Sequence, residues 1–326
     1  MAMDRGARRL LDMLAAAGGG VEVRASVDDR RSGLAALAAM ADDASTAVAI
    51  EDRDVPGPGG PLPIRLYSPL APTEAALPGL LFFHGGGWVA GSLETHDGLC
   101  RRLCAAAGCK IIALDYRLAP EHPFPAALMD CLLALNWVAN HAASLGIDPT
   151  RLGVCGDSAG GGLAAAVCQI ARDAGGPSIA LQVLICPILD VGRRTGSREE
   201  FGEGHFISRA AFQRDLADYA SLGAATDDPR LSPLCAAGLR GLPPALIHTA
   251  EFDPFRDEGE AYAEALSAAG VDAAFVRHPG MIHYFYALAR AIPYAETAAG
   301  QIGLQIRAMF DEHPAGAAAS FVSELS

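Results

Sequence analysis

The spacing of apolar positions along the chain changes twice. Before residue 46 it is helical: Leu10, Leu11, Met13 and Leu14 read as one face of an amphipathic helix, and residues 33–40 form a weaker one. Two strand-like runs follow, 48–53 and 64–67, separated by a Pro/Gly-rich stretch at 56–63 that reads as a turn. After Pro78 short, continuous apolar runs appear at 80–83, 111–114, 151–155, 181–185, 245–249 and 273–276, as expected of strands buried on both faces. Helical segments at 96–107, 126–143, 160–173 and 256–269 lie between them. This alternation predicts a mainly parallel central sheet with helices on both faces.

Residues 191–229 break the rhythm with charged and aromatic side chains, and an insertion of that length predicts a cap or helical excursion. The expected organisation is therefore an N-terminal helical cap segment at 1–46 and an α/β domain at 47–312, with 191–229 contributing to cap and pocket. A flexible Ala/Gly/Ser tail is expected at 313–326.

Composition narrows the function. With 326 residues, 51% of them hydrophobic, the chain can bury a large core. A net charge of −13 argues against nucleic acid or an anionic membrane as partner and favours a small neutral substrate. The longest apolar stretch, 179–189, contains Gln182 and Pro187 and cannot span a bilayer. Eight cysteines fall mostly in apolar runs. Cys100 and Cys104 are one helical turn apart, but no CxxC or Cys/His cluster at zinc spacing accompanies them, so no metal is expected. Without a disulfide framework the chain reads as reduced and cytoplasmic.

Three segments carry chemistry. Gly156-Asp157-Ser158-Ala159-Gly160 is a G-x-S-x-G sequence between a strand and a helix, where a tight turn lifts the serine oxygen above the sheet edge. His84-Gly85-Gly86-Gly87-Trp88 follows another strand; its uncovered N–H groups suit an oxyanion hole, assigned to Gly85, Gly86 and Ala159, with His84 bracing the loop. His283 follows the 273–276 strand, and Asp253 lies just beyond the 245–249 strand. The order Ser158, Asp253, His283 is that of α/β-hydrolases. Rivals are His278 for the base and Asp190 for the acid, and Asp253 before Pro254 could simply cap a helix. Trp88, Asp157, His205, Phe206 and Tyr284 are expected to line the pocket.

With 116–127 (YRLAPEHPFPAA) these motifs make the chain resemble the hormone-sensitive-lipase-like esterases with a GDSAG nucleophile elbow, from about residue 45 to 310. The resemblance implies an α/β-hydrolase fold, carboxylesterase activity on short acyl chains, an N-terminal helical cap, no cofactor, and pairing of copies through an edge strand. The sequence departs from the family at Gly162, where Asn is frequent, at Phe255 for Leu, and at Tyr284 for a Gly after the histidine. Alternatives are an amide or carbamate hydrolase such as an aryl-formamidase, a long-chain lipase, and a non-catalytic ligand-binding relative.

Overall fold

The computed structural model describes residues 2–16, 25–42, 45–72, 74–220 and 223–312; the expected tail at 313–326 lies outside them. Eight strands form one sheet: β1 (Ala49–Gly57), β2 (Gly60–Ser68), β3 (Leu77–Phe83), β4 (Lys110–Leu114), β5 (Ile147–Asp157), β6 (Gln182–Ile185), β7 (Ala245–Phe252) and β8 (Ala273–Ile282). Their order is β1-β2-β4-β3-β5-β6-β7-β8. β1 and β2 pair antiparallel, as do β2 and β4, and every other pairing is parallel.

The continuous apolar runs are explained by two-sided burial. Along β3, Leu81 and Phe83 enter one core layer while Leu80 and Phe82 enter the other, on the opposite face. The first layer is covered by α4 (Ala126–Leu145), α5 (Ala159–Ala174) and α8 (Arg256–Ala268), the second by α3 (Asp97–Ala107) and α9 (Tyr294–Glu312). Each fully buried Leu or Phe contributes roughly 1.5–3 kcal/mol relative to exposure.

Two expectations about strand length need correction. The hairpin turn is far shorter than 56–63: β1 runs to Gly57 and β2 starts at Gly60. Pro61 and Pro63 sit in β2 but beyond its pairing with β4, which begins at Ile64, so the missing N–H groups break no ladder there. The last strand continues past 276 to Ile282 and includes Pro279, tolerated because β8 is an edge.

The N-terminal region forms α1 (Arg5–Ala16) and α2 (Val27–Ala41). On α1, Leu10 and Leu11 are buried but Met13 is exposed. α2 begins six residues before the expected 33 because Ser26 and Asp29 form a capping box, with Ser26 Oγ accepting from Asp29 N–H and Asp29 Oδ2 from Ser26 N–H. The 191–229 insertion supplies α6 (Gly196–Phe201) and α7 (Arg209–Tyr219). Among the described residues no helix is long and apolar enough to cross a membrane.

Candidate active site

Parallel strands deliver their C-terminal ends to one rim of the sheet, where ligands of open α/β folds bind. β3 leads into the glycine loop, β5 ends at Asp157, β7 is followed by Asp253, and β8 by His283. Ser158, between β5 and α5, has φ of 53°, a left-handed strain that the turn imposes. Its glycines are steric necessities. A Cβ at Gly160 would sit 2.0 Å from the Phe83 carbonyl oxygen, and one at Gly156 2.2 Å from that of Gly160. Gly162 is equally constrained: a Cβ there would lie 2.4 Å from Ile188 O, so the chain after β6 fills the space that a larger residue would need.

The three distant residues meet. His283 Nε2 is 2.9 Å from Ser158 Oγ, and His283 Nδ1 is 2.7 Å from Asp253 Oδ2. An ionised carboxylate only accepts, so Nδ1–H donates to Asp253 and Nε2 is left to accept the serine O–H. Asp253 Oδ1 accepts Phe255 N–H at 2.7 Å, so the turn role and the role beside His283 belong to the same carboxylate. All three side chains are buried. The rivals are occupied elsewhere. His278 bonds His248 and the Tyr294 hydroxyl, and Asp190 accepts from Gly192 and Arg193 N–H.

The glycine loop corrects one assignment. Gly85 N–H donates to Asp157 Oδ1 at 2.9 Å and is not free for an oxyanion. The loop crosses directly over this buried carboxylate, close enough that a Cβ on Gly85 would lie 2.4 Å from Oδ2. Gly86 and Gly87 N–H, with Ala159 N–H at the start of α5, find no acceptor among the described residues. Gly86 and Gly87 also line the cavity above Ser158.

Asp157 therefore lies behind the site, not in the pocket. Besides Gly85 it binds the Tyr286 hydroxyl (2.8 Å) and His96 Nε2 (3.2 Å). Burial alone would raise its pKa, but the field of His96 and these hydrogen bonds hold it below the usual carboxylate range. His84 braces the loop as expected: Nδ1–H donates to Gly85 O and the ring stacks on Tyr116 at 4.2 Å. Burial pushes its pKa down to about 4, so it stays neutral. His96, read as an ordinary helix residue, and Tyr286, three residues past His283, went unnoticed in the sequence because their role depends on a carboxylate far away in the chain.

The cavity above Ser158 encloses about 350 Å³. Of the expected lining residues, Phe206 and Tyr284 are present, with their rings stacked 5.7 Å apart. Trp88 is not: it is buried against Tyr219 at 4.8 Å, supporting the loop from behind. His205 is not either; its ring packs on Phe201 and Phe252, directed there by its Nδ1 contact with Glu203 O. The roof comes from α1, α2 and α7: Leu14, Asp29, Arg30, Leu34 and Leu37 from the first two, and Phe212, Arg214 and Asp215 from the third. Arg30 donates to Asp215 and Asp218, tying α2 to α7.

All eight cysteines are free and seven are buried; burial pushes the Cys104 thiol up to about 12. Among the described residues the one cluster with metal-ligand chemistry is Cys186, Asp253 and His283. In it the facing atoms of Asp253 and His283 are already hydrogen-bonded to each other.

Comparison with known proteins identifies the family to which this fold belongs. A family profile described as alpha/beta hydrolase fold matches residues 80–287. The chain is 48% identical over 229 residues to carboxylic ester hydrolase LipN of Mycobacterium tuberculosis, covering 68% of this chain and 60% of that one. It is 41% identical over 256 residues to carboxylesterase NlhH of the same organism, covering 77% and 80%. Among solved structures, ester-hydrolase EH1AB1 from the metagenome of Lake Arreo superposes with a TM-score of 0.91 at 40% identity, covering 95% and 99% of the two chains. A thermostable esterase from Pseudomonas putida ECU1011 gives 0.89 at 35%, covering 95% and 98%. The chain belongs to the α/β-hydrolase-fold family, in its hormone-sensitive-lipase-like branch of carboxylic ester hydrolases.

Proposed function

We propose that this member of the family is a serine carboxylesterase acting on short-chain acyl esters through an acyl-enzyme. The observation that carries the reading is the unbroken hydrogen-bonded line Ser158–His283–Asp253 at the floor of a largely apolar cavity. His283 takes the serine proton as Oγ attacks the ester carbonyl, and Asp253 fixes the imidazole tautomer and stabilises the imidazolium. Gly86, Gly87 and Ala159 N–H groups receive the developing oxyanion, in place of the set that included Gly85. His283 then protonates the leaving alcohol and activates water to release the acid.

The cavity volume and its closure by α2 and α7 favour short chains. Eight free thiols fit a reducing, cytoplasmic setting, and the two edge strands of the sheet, β1 and β8, are the surfaces through which two copies would pair.

Ser158→Ala is expected to leave a folded protein whose turnover of a nitrophenyl butyrate falls about a million-fold. Retention of a tenth of the activity would end this reading. A rate that rises from butyrate to laurate would overturn the short-chain part alone.

A further inference from the structure

The cavity roof holds a cation that donates no hydrogen bond to the described residues. Four charged side chains line the cavity: Asp29, Arg30, Arg214 and Asp215. Asp29 is engaged by Ser26, and Arg30 by Asp215 and Asp218. Arg214, on α7, makes no hydrogen bond to the described residues. Its Nε and Nη1 are buried without an acceptor. The nearest carboxylate oxygen, Asp215 Oδ1, is 3.7 Å from Nε and is already taken by Arg30.

A guanidinium stays charged at every accessible pH and presents its N–H groups in a fixed fork. Buried donors without acceptors are unfavourable, and native structures rarely keep them. The Arg214 side chain lines the cavity and is 22% exposed, so part of it is open to a molecule held there. The same cavity is lined by apolar Ile207, Phe212 and Phe255, and its two carboxylates, Asp29 and Asp215, already bond Ser26 and Arg30. A carbonyl oxygen on a molecule in the cavity would supply the acceptor that these donors lack. Asp29 and Asp215 on the same roof, and a chain charge of −13, favour a neutral acceptor over a second negative charge.

We propose that Arg214 is a specificity-determining residue, selecting neutral esters that carry a second carbonyl oxygen a few bonds from the scissile one. This rests on the reading of Ser158 as nucleophile. The test compares dimethyl succinate, glutarate and adipate with methyl hexanoate, heptanoate and octanoate, their length-matched counterparts without the second carbonyl. Ethylene glycol diacetate against pentyl acetate makes the same comparison on the alcohol side. Rates are taken per ester group, and active enzyme is counted by titrating Ser158 with a phosphonate, so that misfolded variant does not enter the result.

In at least one arm the wild type is expected to favour the dicarbonyl member by about tenfold in kcat/KM, the scale of a hydrogen bond to a charged group. Arg214→Met and Arg214→Gln are expected to lower that ratio about tenfold and about threefold, whatever happens to the monoester rate. Equal wild-type efficiency on every matched pair, or a ratio untouched in both variants, overturns the proposal and leaves the esterase reading intact. A wild type that hydrolyses neither series, and is not labelled by phosphonate, removes both.

Discussion

Behind Ser158, Asp157 gathers donors from three separate parts of the chain: Gly85 after β3, His96 before α3 and Tyr286 after β8. Above it, Arg30 bridges to Asp215 and Asp218, while Arg214 donates no hydrogen bond to the described residues and only approaches Asp215 at 3.7 Å. The two regions hold charge in different surroundings. The Asp157 carboxylate has no exposed surface, whereas the side chains of Arg30, Asp215 and Asp218 are 10–30% exposed. In a dry network each bond is strong and each loss is felt in full, while water and salt soften the same loss at the roof. The floor is thus built to fix geometry, and the roof has latitude to change with substrate.

The sharpest way to break this contrast is Asp157→Asn. The amide keeps one acceptor oxygen and replaces the other with a donor that faces donors. Loosening of the Gly85 loop is expected to cut kcat about 100-fold, as losing one oxyanion donor does elsewhere. Stability in urea should drop by about 2–3 kcal/mol. A kcat within threefold of wild type would show that the floor is not the rigid part.

Acid titration probes buried histidines, one beside the floor and one on β8, without mutation. Burial holds His84 and His278 at about 4, below the ordinary 6.5. Between those values the unfolded chain binds protons that the native state refuses, so their contribution is full above pH 6.5 and is lost as pH falls toward 4. Asp115, pushed up to about 6 by burial, works in the opposite sense over part of this range, but it is more exposed. The expected net effect is a melting temperature that is flat above pH 6.5 and declines steadily to pH 4.5. The loss is of order 1–3 kcal/mol for each histidine. A flat profile down to pH 4.5 would contradict the neutral, buried histidines.

The smallest effect is expected at the roof. Arg30→Gln should cost about 1 kcal/mol or less and raise KM two- to fivefold, with the difference from wild type shrinking at high salt. A loss of stability matching that of Asp157→Asn would erase the distinction between the regions.

How much of this was visible in the chain follows the same division. The parallel strands were legible because burial on both faces demands unbroken apolar runs such as 80–83. The hairpin prolines misled because their cost depends on which neighbour a strand reaches, and that is a property of the sheet. Trp88 was assigned to the pocket by its place beside the glycine loop and His205 by its place in the 191–229 insertion, yet side-chain direction sends both elsewhere.

The sequence alone determined the strand–helix alternation and pointed to Ser158, Asp253 and His283 in that order, since each lies in a local motif whose backbone requirements are written in neighbouring glycines and prolines. Tertiary structure alone decided that Gly85 serves Asp157 and not the substrate, that His96 and Tyr286 support the loop, and that Arg30 and Arg214 reach the cavity roof. Those facts depend on partners 61 to 188 residues apart. Only the folded packing of the sheet and cap brings such groups within hydrogen-bonding range, and no local pattern encodes that distance.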